Sequence, residues 1–484
     1  MSQWIKNTAL VVAGVLGGVL LTVAVTASAF MGGDKFPAES LQTFTRVFAA
    51  IKRNYVEPVE DKKLIAEAIN GMLSHLDPHS AYFDAKEFKQ MNESIQGEFG
   101  GVGMQIETED GYIKVQSPIE GGPAERAGIR AGDLIVKIGK DTTKGVNTTE
   151  AVKKLRGEPN TSVTITVSRK GDPIPMVITL KREIIKIASV RSKSLDDDVG
   201  YVRVIQFQER TTQDLVKELN KIGEKGVPKH LVLDLRNNPG GTLNTAVGVS
   251  AAFLPANELV VSIRGRELSN NRQYFTKPED YRYYDRKNDK IEDPLAGLPA
   301  WAKTVPMVVL INAGSASASE IVAGALRDYK RAKIVGVRSF GKGSVQNVIP
   351  LSEGTGIKLT TQRYYTPKDI SIQAKGIEPE FNVDETPEGN LFAEFIRREG
   401  DNENALDGDK DANKKEDAKT AEEKNRESEE RFKKLEKLRA EGRKPVELGS
   451  DKDYQLQQAV NVLLGKPVIT SKPEPVKAAK DKTE

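Results

Sequence analysis

Hydrophobic residues recur at intervals of three and four in the first part of the chain. Two such runs occur, with apolar positions Leu41, Phe44, Val47, Phe48, Ile51 and Tyr55 in the first and Leu64, Ile65, Ala68, Ile69, Met72 and Leu73 in the second. Because residues three and four apart share one face of a helix, the pattern predicts two amphipathic helices, separated at Pro58. We therefore expect an N-terminal helical region over residues 35–97.

The pattern then changes to short runs rich in β-branched residues. Four of them, GMQIETE, YIKVQSP, DLIVKIG and SVTITVSR, are separated by turns such as Asp110-Gly111 and Gly139-Lys140. One helix is indicated over residues 149–155. Strand-length runs bounded by such turns predict a small, mostly β module, which we place at residues 98–170.

Strands alternate with helices from Val199 onward. The strand-like runs include YVRVIQF, HLVLDLR, LVVSIR, MVVLINA and KIVGVR, and the helix-like runs are TQDLVKELNKIG, NTAVGVSAAFL and SEIVAGALRDY. This alternation predicts a largely parallel sheet with its site at the carboxyl ends of the strands. We assign the α/β core to residues 171–390 and interpret residues 270–293 as an inserted polar loop or lid.

The amino terminus carries an uncharged apolar run, residues 8–30, which is long enough to span a bilayer. Lys6 precedes the run, and Ala27-Ser28-Ala29 resembles a small-residue cleavage site. A retained anchor and a cleaved signal both fit, so residues 1–34 are a signal peptide or a membrane anchor. Either one directs the chain to a membrane.

The carboxyl-terminal part has a different composition. Residues 391–450 are dense in Asp, Glu, Lys and Arg and poor in apolar residues, which predicts a charged linker or an exposed helix. The run YQLQQAVNVLL, residues 454–464, restores an apolar helical face. We expect residues 451–484 to form a helix that docks on the core, followed by a tail.

Composition excludes several classes of function. Lys plus Arg total 72 and Asp plus Glu total 69, so the formal net charge of +3 gives no basis for a nucleic-acid surface. The absence of cysteine excludes a disulfide framework, a thiolate zinc site and a cysteine nucleophile. Of the three histidines, His75 and His79 lie in HLDPHS, where Asp77-Pro78 favours a loop cap over a metal or acid/base role. We therefore expect no metal and no cofactor.

A glycine-rich turn, Gly100-Gly-Val-Gly-Met104, leads into the first strand of the β module. Backbone N–H groups in such a turn can form a nest for an anion, and a peptide carboxylate suits it. With strand 104–107 free to accept an added strand and helix 149–155 opposite, the module resembles a PDZ domain that captures a chain terminus. The stretch SPIEGGPAERAGIRAGDLIVKIG resembles the protease-associated PDZ type.

Ser317 lies in SASASE, where a predicted strand ends and a helix begins. Ser317 and Glu320 match an S-x-x-E capping box, so a helix cap is the alternative to a nucleophile. Lys342 and Gln346 share one face of a later strand by the two-residue period, so an amine and an amide carbonyl can converge. The glycine turn of DLRNNPGG can point an amide to the same edge. Together these groups fit the Ser-Lys variant of acyl-transfer chemistry, which needs no histidine.

These motifs closely resemble the carboxy-terminal processing proteases, also called tail-specific proteases. The matching motifs are LDPHSAYF, GGVGM, DLRNNPGG, GSASASEIVAGAL and SFGKGSVQ. The resemblance covers roughly residues 41–385 and 454–464. It implies a multi-domain chain: an α/β protease core with an inserted mostly-β PDZ domain and an N-terminal helical region.

The resemblance also implies a role for each matching residue. Ser317 is the implied nucleophile, Lys342 its base, and Gln346 the residue that orients the lysine. The other implied groups are the oxyanion-hole amides of Gly241 and Ala318 and the carboxylate loop Gly101, Val102, Gly103 and Met104. Arg156 is a candidate PDZ switch residue, with an exposed helix-end arginine as the alternative.

We therefore predict a periplasmic serine endopeptidase, membrane-anchored or secreted, which cleaves extracytoplasmic proteins after its PDZ domain recognises their accessible apolar C-terminal tails. The expected partners are these substrates, an adaptor protein, further copies of the chain, and the membrane through residues 8–30. Nucleic acid is not expected. The alternatives are a non-catalytic PDZ adaptor or scaffold at the membrane and a Ser-His-Asp hydrolase.

Overall fold

The computed structural model describes residues 37–109, 111–172, 174–285, 289–390, 397–408 and 446–471, together with residues 433, 436, 437 and 441. The predicted signal or anchor, residues 8–30, lies outside this part of the chain, as does most of the charged segment 391–450. Among the described residues, no helix has the length and apolar character needed to cross a membrane. The chain divides into two compact units, Met1–Ile69 and Asn70–Glu484.

Two helices form where the apolar spacing predicts them. Helix α1 spans Ala38–Asn54, and α2 spans Asp61–Ser74, so that α2 ends in the second unit. None of the α1 residues is buried, and its apolar positions Leu41, Phe44 and Val47 are exposed.

After the end of α2, the second unit continues with β1 (Ala81–Phe83) and α3 (Ala85–Gln96), which precede the β module. The elements that follow are β2 (Glu98–Gly101), β3 (Met104–Glu109), β4 (Tyr112–Pro118), α4 (Pro123–Arg126), β5 (Leu134–Ile138), β6 (Asp141–Thr142), α5 (Thr148–Leu155), β7 (Ser162–Ser168), β8 (Met176–Lys181) and β9 (Glu183–Lys186), of which β2 pairs with β9. The antiparallel sheet has the order β3-β4-β5-β7-β8, with β6 on β5. It extends to Lys181, past residue 170, where the sequence analysis ends the module.

The remaining elements alternate as the sequence predicts. They are β10 (Val190–Ser194), β11 (Val199–Val204), α6 (Thr211–Gly223), β12 (His230–Asp234), α7 (Leu243–Phe253), β13 (Leu259–Gly265), β14 (Arg272–Phe275), α8 (Pro278–Tyr281), β15 (Tyr283–Asp285), β16 (Lys290–Glu292), β17 (Met307–Ile311), α9 (Ala318–Asp328), β18 (Ala332–Gly336), β19 (Ser344–Pro350), β20 (Gly356–Tyr365), β21 (Phe381–Asn382) and α10 (Tyr454–Leu464). Short 3₁₀ turns occupy Leu268–Asn270, Ala300–Lys303, Ser352–Gly354 and Glu399–Asp401.

The central sheet has the order β10-β11-β12-β17-β18-β21 and is parallel except for the edge strand β10. Strands β12 and β17 are buried almost throughout, which is typical of a parallel sheet covered on both faces. Because β12 and β17 are parallel neighbours, the loops at their carboxyl ends lie side by side. These loops lead into α7 and α9, which pack against each other.

A second, antiparallel sheet has the order β1-β20-β13-β14, with β19 also on β20. Two expectations are corrected here. The LVVSIR strand, β13, belongs to this sheet rather than to the parallel one. The segment 270–293 is not simply a polar loop, because it holds β14, α8 and the β15–β16 hairpin, and β14 pairs with β13.

The carboxyl-terminal helix α10 packs on the central sheet, as predicted. Its Leu456 and Ala459 are buried with Tyr201, Leu310 and other residues of that face. A buried ion pair holds the helix start, since Arg236 Nη2 lies 2.6 Å from a carboxylate oxygen of both Asp234 and Asp453.

Candidate active site

Ser317 lies between β17 and α9, at the carboxyl end of the parallel sheet. Its backbone has φ +55° and ψ −114°, a conformation that costs energy for a residue with a side chain and recurs at functional sites. Gly240 of the β12–α7 loop lies against it. A Cβ atom on Gly240, which has φ +97°, would stand 2.7 Å from Ser317 Cβ, so only glycine fits there.

Two neighbouring serines hold this loop in place. Ser315 Oγ donates to the carbonyl of Leu235 at 2.8 Å, and Ser319 Oγ donates to the carbonyl of Asn238 at 2.9 Å. Both serines are fully buried, whereas Ser317 is partly exposed. Of the three serines in the motif, Ser317 is therefore the one whose hydroxyl can meet a substrate.

Glu320 joins the Ser317 loop to the Lys342 loop. Its carboxylate is fully buried, and Oε2 accepts the N–H of Ser317 at 2.8 Å and the N–H of Lys342 at 2.9 Å. Oε1 accepts Ser339 Oγ at 2.6 Å and the Gly341 N–H at 2.7 Å. Burial raises the pKa of Glu320 to about 7, although these four donors favour the ionised form.

From the sequence, Glu320 is predicted only to cap a helix. The cap is present, since Ser317 and Glu320 form a capping box at the start of α9. The S-x-x-E spacing is the only sequence signal for this residue, and it carries no information about Lys342, which lies 22 residues further along.

Lys342 lies in the loop between β18 and β19. Desolvation by burial lowers the pKa of Lys342 to about 8, with Lys358 acting in the same direction and Glu399, Glu320 and Asp77 opposing it. Its ammonium forms no hydrogen bond or ion pair with any residue that the structure describes. A lysine with a pKa of about 8 is roughly one-tenth neutral at pH 7, far more than a lysine with its ordinary pKa, and that neutral fraction can accept a proton.

Gln346 lies on β19, and its amide nitrogen Nε2 donates to Ser344 Oγ at 2.9 Å and to Thr360 Oγ1 at 3.2 Å. Ser344 and Gln346 therefore share a face, as the two-residue period predicts. Lys342 precedes the strand and is not part of it. Within the described residues no hydrogen bond joins Gln346 to Lys342.

The Ser317 loop and the β12–α7 loop each carry an unused amide. The N–H of Ala318, the first residue of α9, and the N–H of Gly241 donate no hydrogen bond within the described part of the chain. A Cβ atom on Gly240 would stand 2.9 Å from the Ala318 nitrogen, so the glycine turn packs directly against this amide. Gly241 itself, at φ +149°, packs so closely that a Cβ atom would stand 1.9 Å from the Phe207 carbonyl oxygen.

The predicted carboxylate loop lies between β2 and β3. The carbonyls of Val102 and Gly103 accept the N–H groups of Ala124 and Ile119, each at 2.9 Å. Their own N–H groups donate to no residue in the described ranges, and the adjoining strand β3 is at the edge of its sheet. Free amides beside a free strand edge are what β-strand addition of a peptide requires.

Arg156 ends helix α5 beside this loop. Its guanidinium carbon lies 4.2 Å from the centre of the Phe99 ring, and its Cγ lies next to Gly101. Its Nε is buried without a hydrogen-bond partner among the described residues. A cleft of about 990 Å³ is lined here by Phe99, Gly100, Val152 and Arg156 together with residues of α3.

The histidines take other positions. His79 Nε2 pairs with the Glu399 carboxylate at 2.8 Å, His75 Nδ1 contacts the Gly71 carbonyl at 2.8 Å, and His230 begins β12, at the opposite end of the parallel sheet from Ser317. Asp77 accepts the N–H groups of His79 and Ser80, so HLDPHS is the capped loop that the sequence predicts. In the part of the chain described, no group of three or more Asp, Glu or His residues could hold a metal.

Comparison with protein families matches three regions of the chain. Peptidase family S41 matches residues 198–383, a PDZ domain matches residues 114–169, and the activating protease CtpB N-terminal domain matches residues 24–87. Among solved structures, the photosystem II D1 C-terminal processing protease covers 75% of this chain and 98% of its own, with 29% identity and a TM-score of 0.39.

Two curated relatives match most of the chain. The carboxy-terminal-processing protease of Bartonella bacilliformis is 43% identical over 385 residues, which are 79% of this chain and 83% of that protein. A probable CtpA-like serine protease of Staphylococcus aureus is 35% identical over 377 residues, 76% of this chain and 71% of that protein. The chain therefore belongs to the carboxy-terminal processing proteases of peptidase family S41, serine-type peptidases with a PDZ domain.

Proposed function

We propose that this serine peptidase is an endopeptidase with a Ser317-Lys342-Gln346 site. The observation that carries the proposal is the shared contact to Glu320, which fixes the main chains of Ser317 and Lys342 to one carboxylate oxygen. The lowered pKa of Lys342 and the strained backbone of Ser317 give further support.

In the acylation step, neutral Lys342 accepts the proton of the Ser317 hydroxyl while Oγ attacks the carbonyl carbon of the scissile bond. The N–H groups of Ala318 and Gly241 stabilise the resulting oxyanion. The Lys342 ammonium then gives its proton to the leaving amine as the C–N bond breaks, which leaves an ester on Ser317. Neutral Lys342 then takes a proton from water while the water oxygen attacks this ester. The ammonium returns the proton to Ser317 Oγ as the ester C–O bond breaks, and the product acid is released and ionises.

We further propose that the PDZ domain selects substrates by their C-terminal tails. The free N–H groups of Val102 and Gly103 would receive the terminal carboxylate, within the loop Gly101–Met104. The tail would add as a strand to the free edge of β3. In this proposal Arg156, which contacts both Phe99 and Gly101, is the residue that responds to loop occupancy.

The same proposal assigns the enzyme to the periplasm and its substrates to extracytoplasmic proteins with accessible apolar tails. The apolar segment 8–30 supports this location, either as an anchor or as a cleaved signal. We also propose that an adaptor protein delivers substrates and that several copies of the chain assemble. The domain division given from the sequence is kept, with the PDZ sheet extended to Lys181.

Peptide cleavage by serine variants tests the nucleophile. Ser317→Ala should abolish turnover while lowering the free energy of unfolding by about 1 kcal/mol, the usual effect of losing a cap. Ser315→Ala and Ser319→Ala should be less stable, because each removes a buried side-chain hydrogen bond to a main-chain carbonyl, but should keep measurable turnover. Turnover by folded Ser317→Ala would reject Ser317 as the nucleophile.

A further inference from the structure

The loop of residues 77–80 is held beside the second sheet by β1, which pairs with Gly356–Lys358 at the start of β20. Asp77 and Ser80 are buried there, with 3% and 6% of their surface exposed. Oδ1 of Asp77 accepts the N–H groups of His79 at 2.8 Å and Ser80 at 2.9 Å, and Oδ2 accepts Ser80 Oγ at 2.7 Å. The loop therefore presents an ordered carboxylate to β20.

This loop binds Thr360 of β20 twice. The N–H of Thr360 donates to Ser80 Oγ at 3.1 Å, and Thr360 Oγ1 donates to Asp77 Oδ1, also at 3.1 Å. The hydrogen bonds to Asp77 lower its pKa against the effect of burial, so its carboxylate stays ionised and can only accept. The single hydroxyl hydrogen of Thr360 is therefore committed to Asp77.

The hydrogen bond to Asp77 also decides how Thr360 can bind Gln346, its cross-strand partner on β19. With its hydrogen used, Thr360 Oγ1 can only accept, so the amide must turn its NH₂ group toward it, at 3.2 Å. The second amide hydrogen is used by Ser344 Oγ at 2.9 Å. The carbonyl oxygen Oε1 then has no hydrogen-bond partner among the residues described.

We propose that Asp77 and Thr360 are positioning residues that hold the Gln346 amide in one of its two orientations, with the carbonyl oxygen presented to Lys342. A flipped amide would place its oxygen against Thr360 Oγ1, where no hydrogen is available, and would turn two donors toward the lysine. The proposal rests on the role given to Gln346 in the proposed function and adds what orients Gln346.

Thr360→Val is the informative variant, because it removes the hydroxyl and keeps the shape and charge of the side chain. Asp77→Asn is less direct, since the Asp77 charge also acts on Lys342, as do those of Lys358, Glu320 and Glu399. The measurements are kcat, KM and the pH–rate profile for an internally quenched peptide, with full-length Thr360→Val, Thr360→Ser, Gln346→Ala and the double variant Thr360→Val/Gln346→Ala. Thermal melting shows that each variant is folded.

We expect Thr360→Val to lower kcat by on the order of 10- to 100-fold with little change in KM, the size of effect that a misplaced catalytic group produces. The apparent pKa of the rising limb should fall, because the ammonium loses an acceptor that favours its charged form. Thr360→Ser keeps the hydroxyl and should retain most of the activity. In the Gln346→Ala background, Thr360→Val should have almost no further effect, since it acts through Gln346.

Three results would overturn the proposal. If Thr360→Val keeps the wild-type kcat while Gln346→Ala is impaired, the role of Gln346 stands and only the positioning role of Thr360 fails. If Thr360→Val lowers kcat by the same factor with and without Gln346, its effect is structural. If Gln346→Ala keeps the wild-type kcat, the site assignment to Gln346 fails, and the positioning proposal fails with it.

Discussion

The backbone N–H groups of Ser317 and Lys342 donate to the same atom, Oε2 of Glu320, at 2.8 and 2.9 Å. A fully buried carboxylate thus joins the strand-end loop that carries the proposed nucleophile to the loop that carries the proposed base. Its other oxygen binds Ser339 and Gly341, so all four donors belong to the active-site loops. Glu320 therefore fixes the spacing of the two loops that carry the proposed nucleophile and the proposed base.

Glu320→Gln should damage both stability and turnover. The glutamine side chain has one oxygen, whereas the four donors now share the two carboxylate oxygens of Glu320. At least one buried N–H or hydroxyl therefore loses its acceptor. We expect the free energy of unfolding in urea to fall by about 3 kcal/mol, and kcat to fall at temperatures where the variant is folded. The matched control is Glu224→Gln at the exposed end of α6, which should change stability by less than about 0.5 kcal/mol. A fully stable and active Glu320→Gln would contradict this role.

Gly241→Ala should lower kcat by on the order of 10²- to 10³-fold, the effect of losing one oxyanion donor. The added Cβ would stand 1.9 Å from the Phe207 carbonyl oxygen, so the turn must shift and carry its amide away from Ser317. Gly226→Ala is the control, because Gly226 also has positive φ (+122°) but has no atom within 4 Å of the Cβ position. It should lose about 1 kcal/mol of stability and no kcat. Equal kcat losses in the two variants would mean that backbone strain, not the amide, is responsible.

Amidation of a substrate's C-terminus should raise KM much more than substitutions far upstream do. The free N–H groups of Val102 and Gly103 in the Gly101–Met104 loop would lose a charged acceptor, and charge-assisted hydrogen bonds are roughly twice as strong as neutral ones. The measurement compares the kinetics of one peptide in its acid and amide forms. Identical kinetics would show that this loop does not read chain ends.

The sequence predicts the elements well where contacts are local. The strand–helix boundary at Ser317 and the turn at Gly241 follow from apolar runs and glycine positions, and adjacent parallel strands bring them to one edge. The contacts of Glu320 with Lys342 and of Asp77 with Thr360 could not be predicted, because they join residues 22 and 283 positions apart. Such pairs depend on strand register, which no single segment specifies.

Two elements that the sequence does not predict, β14 and β8, also depend on pairing with another strand. Segment 270–293 is polar, so its pattern indicates a loop, yet β14 is stabilised by main-chain pairing with β13 rather than by a buried apolar face. Strand β8 follows Gly171-Asp172, a turn that suggests the end of the module, but its pairing with β7 continues the same sheet. Main-chain pairing of this kind leaves little trace in the hydrophobic pattern.

The pH dependence of peptide turnover tests the Ser317-Lys342 mechanism most directly. Only the neutral amine can accept the Ser317 proton, and the pKa of Lys342 is lowered to about 8, so kcat/KM should rise with pH along a single ionisation near that value. Lys342→Arg keeps the charge but supplies no base, so it should be as inactive as Lys342→Ala. The rising limb should survive replacement of His75, His79 and His230 together. An active Lys342→Arg enzyme, or loss of the limb with the histidines, would contradict Lys342 as the base.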